Sequence, residues 1–477
     1  MSGAVCASQW RRVHFVGIGG ASMSGIARAL LARGIDVSGC DPQRNAATDR
    51  LEALGARIRA GQDPSHIALE RPDALIVTAA VPMSSPEVTA ALNAGIEVLT
   101  RAEVLGWLMD EAPEPRIGVT GTHGKTTTTA MLAAVLMTAG LDPAVHIGGE
   151  YAPLGGNVRI GKGCFLTEAC EAYDSFLSLR PTLAVVTNIE ADHLDYYGTP
   201  ERMFESFEQF VASVPEGGAV VLCADDPGAR RLATFAAALD RRTVLYGIDA
   251  TDCDVRGADL ASCGRGVRFR AITPEEPGGV SVSLRVPGRH NALNALASIA
   301  AAREAGVPLP TAIAALEQFE GTGRRFERLG EASGADVYDD YAHHPTEIAA
   351  TVRAVRQAFP GTRFLLLFQP HLFSRTRDFL NEFADALAAA DIVLVSDIYP
   401  AREAPIPGIT SATLVKAIAQ RSPDRHVLYA PSQDEALAAL RWLMRPGDLV
   451  MTMGAGDIRS VGEALVDDHG DAPAAGG

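Results

Sequence analysis

The residues best suited to chemistry lie in the string Gly118-Val-Thr-Gly121-Thr122-His123-Gly124-Lys125-Thr126-Thr127. It follows an apolar run, RIGVT, and leads into TTTTAMLAAVLMTAG, which reads as a helix. A glycine turn between a strand and a helix turns backbone N–H groups and the positive end of the helix dipole toward phosphate oxygens. Lys125 would neutralise the β and γ groups of a nucleotide. The Thr126 hydroxyl would serve Mg²⁺, an ion that takes a few hard oxygen ligands and keeps water and phosphate for the rest. Val119 stands where the strict phosphate-loop pattern has its first glycine. The bland alternative, a glycine turn with a helix-capping threonine, is weakened by the strand and helix on either side.

Two further boxes sit at the ends of apparent strands. Glu168 follows CFLT, and Asn188-Ile-Glu-Ala-Asp192-His193-Leu-Asp195 follows LAVVT. Open α/β sheets gather ligands at the carboxyl ends of their strands, so both boxes are expected on the edge that carries the phosphate loop. Glu168 and His193 are metal-ligand candidates there. Alone, a glutamate is usually a solvated surface group and a histidine a satisfied one. Nearer the N-terminus, Gly17-Ile18-Gly19-Gly20-Ala-Ser22 opens a βαβ unit, with Asp41 at the end of its second strand. This resembles a dinucleotide site, but Ser22 replaces the third glycine. A chain already carrying a phosphate loop suits UDP better than nicotinamide, and tight strand-to-helix packing without a ligand is the rival.

The elements that must hold these groups form three blocks. The first runs VHFVGI, a helix from Met23 to Arg33, IDVSGCD and LIVTAAV, and ends at the proline-rich EAPEPR. The second starts at RIGVT and extends to about Gly323. The third alternates RFLLLF, DIVLVS, HVLYA and DLVMTM with helical stretches such as FLNEFADALAAA. The expected fold class is therefore α/β with three domains. These are a Rossmann-like domain over 1–112, a central P-loop ATPase-like domain over 113–323 and a C-terminal Rossmann-like domain over 324–465, with parallel, doubly wound sheets. Residues 466–477, VDDHGDAPAAGG, read as a disordered tail.

Composition narrows the partners. With 477 residues, 47% hydrophobic and 21% charged, the chain is long enough for several cores. Its 42 Lys and Arg against 58 Asp and Glu give a net charge of −16, which disfavours nucleic acid and anionic lipid and leaves any phosphate site a local one. Seven cysteines without CxxC spacing suggest neither zinc nor redox chemistry and fit a reducing cytoplasm. No segment has the length of apolar sequence a membrane span needs.

The strings GTHGKTTTT, EACEAYDSFL, TNIEADHLDYYG, PGRHNALNALA, GTGRRFE, DDYAHHPTEI and FQPHLFSRTRD run from Gly121 to Asp378. Together with HFVGIGGASMSGIA they resemble the Mur ligase family over nearly the whole chain. The last three strings are similar to those of the branch that attaches L-alanine. That resemblance implies an ATP-dependent step of peptidoglycan precursor synthesis. ATP phosphorylates the lactyl carboxylate of UDP-N-acetylmuramate, and the amine of L-alanine attacks the acyl phosphate, releasing ADP and phosphate.

The resemblance also distributes roles. Gly121, Thr122, His123, Gly124, Lys125, Thr126 and Thr127 would hold ATP, with Asn291 and Asn294, on one helix face, near adenine. Thr126, Glu168 and His193 would hold two Mg²⁺ ions with phosphate oxygens. Arg325 would reach ATP phosphate and Asp340 would contact the nucleotide from the C-terminal domain. Tyr341, His343, His371 and Arg375 would face the lactyl group and alanine, with Arg375 on a substrate carboxylate. Gly17, Ile18, Gly19, Gly20 and Asp41 would face UDP. His343 is the tempting general base, since imidazole titrates near neutrality, but the base is left open.

Two departures stand out. Leu372 occupies a position that is arginine in some close relatives, and no lysine lies between His193 and Gly247 to be carbamylated as in other branches. The family rival, attachment of a tripeptide to the same sugar nucleotide, is disfavoured by FQPHLFSRTRD. A dehydrogenase and a non-catalytic nucleotide-binding regulator are rivals of other classes.

Overall fold

The computed structural model describes residues 10–78, 81–401 and 403–470. Cys6 and the last part of the expected tail, 471–477, lie outside the described residues. The chain forms two compact units. One comprises the chain through Ala258 with Ala271–Val280 and Leu293–Leu316, and the other comprises Asp259–Arg270, Ser281–Ala292 and Glu317 onward.

The first unit contains two sheets. The N-terminal sheet has five parallel strands in the order Arg57–Ala60, Asp36–Asp41, Arg12–Val16, Ala74–Val77 and Glu97–Thr100. Its central strands are almost wholly apolar and buried, as strands covered on both faces must be. Two of its helices begin at capping boxes. Asn45 and Thr48 form a reciprocal capping box at Ala46–Ala53, and Thr100 and Glu103 do the same at Arg101–Asp110. The first helix spans Ala21–Leu31, two residues earlier at each end than the apolar pattern suggested.

Seven neighbouring strands of the ten in the second sheet run in the order Arg242–Gly247, Ala219–Cys223, Leu183–Val186, Arg116–Thr120, Phe165–Glu168, Ala144–Tyr151 and Gly156–Arg159. The order matters for function. The strand entering the phosphate loop lies between the strand ending in Glu168 and the strand preceding Asn188, and all three are parallel. Their carboxyl ends therefore share one edge. The first helix packs closely against the second sheet. A Cβ at Gly25, on the first helix, would come within 2.3 Å of Val158.

The second unit carries six strands in the order Glu327–Ala332, Ala335–Asp340, Leu449–Met453, Phe364–Phe368, Ile392–Val395 and His426–Tyr429. Helices cover both faces over two apolar clusters, one around Phe364, Phe368 and Phe383 and the other around Leu365, Leu394 and Ile458. The expectation of parallel sheets holds through the central strands of each sheet, and two outer pairs depart from it. Glu327–Ala332 is antiparallel to Ala335–Asp340, and Gly156–Arg159 to Ala144–Tyr151, because short hairpins join those pairs where a parallel link would need a crossover. The final helix, Arg459–Gly470, continues past Val466, where a disordered tail was expected. Val466 packs on Gly330 and on an apolar cluster, which anchors that turn.

Candidate active site

The phosphate loop is fastened on one side by the chain after Val186. Thr122 N–H donates to the Asn188 carbonyl at 3.0 Å, and His123 N–H to the Asn188 side-chain oxygen at 2.9 Å. Thr187 Oγ1 donates to the His123 carbonyl at 2.6 Å, and His123 Nε2 lies 3.0 Å from Glu190. Gly121 and Gly124 adopt φ of 127° and 84°, conformations that side-chain-bearing residues rarely take. Both are also crowded. A Cβ on Gly121 would fall 2.2 Å from Thr187 Oγ1, and one on Gly124 would fall 2.6 Å from Asn294 Oδ1.

Lys125 opens the helix Lys125–Thr138 and bends back over the loop. Its ammonium donates to the carbonyls of Gly121 at 2.6 Å and Thr122 at 3.0 Å, and pairs with Glu171 at 2.9 Å. Burial works against the charge on this ammonium. The carboxylates of Glu171 and Glu168 outweigh that and hold its pKa above the ordinary lysine value. Thr126 Oγ1 donates to Glu168 at 2.8 Å, and the same carboxylate oxygen accepts Gly148 N–H at 2.9 Å. His193 caps a short helix with φ of 51°, and its Nε2 stands 3.9 Å from Glu171. Lys125, Thr126, Glu168, Glu171 and His193 thus form one polar group at a single sheet edge. Thr127 is buried in the first turn of the lysine helix.

Asn291 and Asn294 are both buried. Asn294 stands against Gly124. Asn291 donates to the Pro287 carbonyl at 2.7 Å at the start of its helix.

The N-terminal loop has the same plan with different charges. Asp41 accepts Gly19 N–H at 2.9 Å, and the Asn45 amide donates to the Gly19 carbonyl at 3.3 Å. Gly17 takes φ of 77°, Ile18 is buried, and Gly20 precedes the helix without a side-chain cap. Ser22 Oγ accepts from Arg101 at 2.7 Å and lies 3.0 Å from His146 Nε2. Burial, with Arg101 nearby, pushes the His146 pKa down to about 4, so the ring is neutral at pH 7.

Within the second unit, Arg325, Asp340, Tyr341, His343, His371 and Arg375 gather at the carboxyl edge of the parallel strands. Asp340 ends its strand and accepts the N–H groups of Phe326 and Ala342, each at 2.8 Å. It thereby ties the Arg325 loop to the Tyr341 loop. Burial pushes its carboxyl up to about 6, against the lowering effect of Arg325. The guanidinium carbon of Arg325 lies 5.1 Å from the Tyr341 ring centroid, and its Nη1 is 3.6 Å from Glu347. His343 N–H donates to Glu347 at 3.1 Å, and its ring meets that of His371 edge-on at 5.8 Å. His371 stacks on Tyr399, and Arg375, also buried, lies 3.4 Å from its Nδ1. Leu372 precedes the arginine-bearing helix with φ of 71°, an unusual conformation for a branched residue.

Sequence reasoning missed Glu171 and Glu347. Glu171 was visible as the second acid of EACE, three residues after Glu168. Glu347 was visible in the first turn of the helix Pro345–Ala358, where an acid reaches back to the N–H groups before the helix.

Three family models match in succession. They are "Mur ligase family, catalytic domain" over 12–112, "Mur ligase middle domain" over 119–302 and "Mur ligase, glutamate ligase domain" over 324–456. The UDP-N-acetylmuramate–L-alanine ligase of Renibacterium salmoninarum is 46% identical over 96% of this chain and 95% of its own. The chain belongs to the Mur ligase family. A second relative of the same name, from Kineococcus radiotolerans, is 47% identical over 95% of each chain. The crystal structure of UDP-N-acetylmuramate-alanine ligase MurC from Thermotoga maritima superposes with a TM-score of 0.80 at 27% identity, covering 96% of this chain and 99% of that one. The Mur ligase fold has three domains, N-terminal, middle and C-terminal. Here the first two make up most of one compact unit. Among the described residues, no helix of this Mur ligase is long and apolar enough to cross a membrane.

Proposed function

We propose that this chain is the ATP-dependent ligase that forms an amide between the lactyl carboxylate of UDP-N-acetylmuramate and L-alanine, in peptidoglycan precursor synthesis. Near-full-length identity of 46–47% to two ligases named for that reaction supports the choice of substrates. The observation that carries the chemistry is the buried Lys125, turned over a fastened glycine loop beside Thr126, Glu168, Glu171 and His193.

A carboxylate is a poor electrophile, and bringing it to a triphosphate sets two anions against each other. Lys125 supplies a fixed cation at that point and exchanges loop carbonyls for phosphate oxygens when ATP enters. The N–H groups of Thr122 and His123 are already used in fastening the loop, so the helix start and the lysine carry the charge. The Thr126 hydroxyl and the Glu168 carboxylate, 2.8 Å apart, are hard oxygen donors that fit Mg²⁺, with His193 beside them. When bound, the ion neutralises phosphate charge.

Arg325, which lies over the Tyr341 face with Glu347 nearby, would approach the transferred phosphoryl group, where a guanidinium pairs two oxygens at once. Asp340 acts by fixing the loops that carry these two side chains. Arg375, with His371, would receive a substrate carboxylate. The amine of L-alanine must lose a proton as it attacks. His343 stands among these groups, with its Nδ1 3.0 Å from the Tyr341 carbonyl. Asp41 and the N-terminal loop would receive the uridine diphosphate portion. The test is to supply ATP, Mg²⁺ and UDP-N-acetylmuramate with each amino acid singly and to measure phosphate release. Release with L-alanine well above every other amino acid is expected, and release independent of the amino acid would overturn the assignment.

A further inference from the structure

The N-terminal domain holds a second polar cluster that the ligase reaction does not use. His14 and Cys40 project from adjacent parallel strands, His66 from the helix Ser65–Glu70 and Glu87 from the first turn of Pro86–Asn93. His14, Cys40 and Glu87 are fully buried, and His66 is 8% exposed. One donor atom from each of the four lies within 4.8 Å of the others. Cysteine spacing pointed away from zinc, because these ligands come from four separate elements and leave no short motif.

The hydrogen bonding around the cluster is unusual at His14. Ser38 Oγ donates to the Val13 carbonyl at 3.2 Å, so it must accept from His14 Nδ1, 2.8 Å away. With the proton on Nδ1, the Nε2 lone pair turns into the cluster, where Nε2 makes no hydrogen bond of ordinary length. The nearest carboxylate oxygen, Glu87 Oε2, is 3.7 Å away. In a tetrahedral zinc site, metal–ligand distances of about 2.0–2.3 Å put neighbouring donor atoms roughly 3.3–3.6 Å apart. Cys40 Sγ lies 3.1 Å from Glu87 Oε2 and His66 Nδ1 lies 2.6 Å from Glu87 Oε1, so the thiol and the imidazole flank the carboxylate that would offer one oxygen to the ion.

We propose that His14, Cys40, His66 and Glu87 form a structural zinc site that joins the two central strands of the N-terminal domain to the two helices lying on them. Charge supports this choice of ion. A divalent cation with one thiolate and one carboxylate is neutral overall, the condition a fully buried site requires. Two imidazoles complete four-coordination by nitrogen, sulfur and oxygen, a donor set that suits zinc over calcium or magnesium. Binding releases one proton, that of the Cys40 thiol, to solvent. His66 stays neutral as its proton moves from Nδ1 to Nε2. The apolar cluster of Val16, Ile67, Leu75, Val77 and Val88 beside Cys40 keeps water out. The rival arrangement is a proton on His14 paired with Glu87 and no metal.

The test uses the full chain, purified from zinc-supplemented cells without chelator and dialysed into buffer with millimolar Mg²⁺ to compete at the nucleotide site. Elemental analysis should find close to one zinc per chain, unchanged in Thr126→Ala and below a tenth in Cys40→Ser. Because Cys40→Ser could fail to fold, the wild-type chain is also refolded with Co²⁺ alone, in a Cys263→Ser background that removes an exposed thiol. A near-ultraviolet thiolate-to-cobalt absorption with tetrahedral visible bands is expected. Zinc content below a tenth per chain, zinc retained in full by folded Cys40→Ser, or a cobalt spectrum of oxygen ligation alone would each overturn the proposal.

Discussion

The molecule uses strand, glycine turn and helix twice, and the two copies differ in where they place charge. At Gly121–Lys125 the turn is locked to the neighbouring strand's loop through backbone and side-chain bonds, and a buried ammonium is held over it by Glu171. At Gly17–Ser22 no cation lies within the turn, and a carboxylate, Asp41, holds a turn N–H instead. A turn built to receive a triphosphate needs fixed positive charge that stays in place when the ligand leaves. On the roles proposed above, a sugar nucleotide at the other turn would take positive charge from the side, where Arg101 donates to Ser22. The shared backbone plan provides shape, and the side chains decide which ligand the shape serves.

The largest effect that would sharpen this contrast is Lys125→Ala. Ligation should fall by at least about 10³-fold, with the fold retained, measured as phosphate release alongside far-ultraviolet circular dichroism. Activity within tenfold of wild type would remove the distinction between the turns. Next, Gly121→Ala should lose on the order of 10²-fold or more in kcat. Its Cβ would meet the backbone of Thr187 and Asn188 at 2.9 Å and demand an unfavourable φ. Gly19→Ala meets side chains and no backbone, Asn45 at 2.8 Å, Asp41 at 2.9 Å and Thr48 at 3.0 Å, and keeps an ordinary φ, so it should raise the KM for sugar nucleotide by about tenfold or less. Equal losses from the two substitutions would break the comparison.

Asp41→Asn should act on sugar-nucleotide KM by a similar factor and leave the KM for ATP unchanged, as steady-state kinetics with each substrate varied would register. The smallest effect concerns Asp340, whose carboxyl burial raises to about 6. A group with a raised folded pKa stabilises below its ordinary value, near 3.8, and loses that contribution as pH rises through 6. The stability advantage of wild type over Asp340→Asn should therefore shrink by about 1 kcal/mol between pH 5 and pH 7 in urea titrations.

Several elements could be read along the chain because their signals are local. The phosphate loop and the strands RFLLLF and DLVMTM depend on neighbours a few residues away. The two antiparallel edges and the helical turn beyond Val466 were not readable, since pairing direction and tail anchoring depend on distant partners such as Gly330. Glu171 was passed over although it lies in the same box as Glu168. Which acid meets Thr126 and which meets Lys125 depends on how the chain turns after the strand.

The sequence by itself determined the α/β class, the glycine turns and the residue types able to bind phosphate, metal and carboxylate. Periodicity and turn chemistry are properties of contiguous residues. The tertiary structure alone decided that strands ending at Glu168 and Val186 flank the phosphate-loop strand, that Glu171 holds Lys125, and that His14, Cys40, His66 and Glu87 meet. Those facts follow from sheet order and helix docking, which bring together residues tens of positions apart through the burial of apolar faces that many strand orders could satisfy.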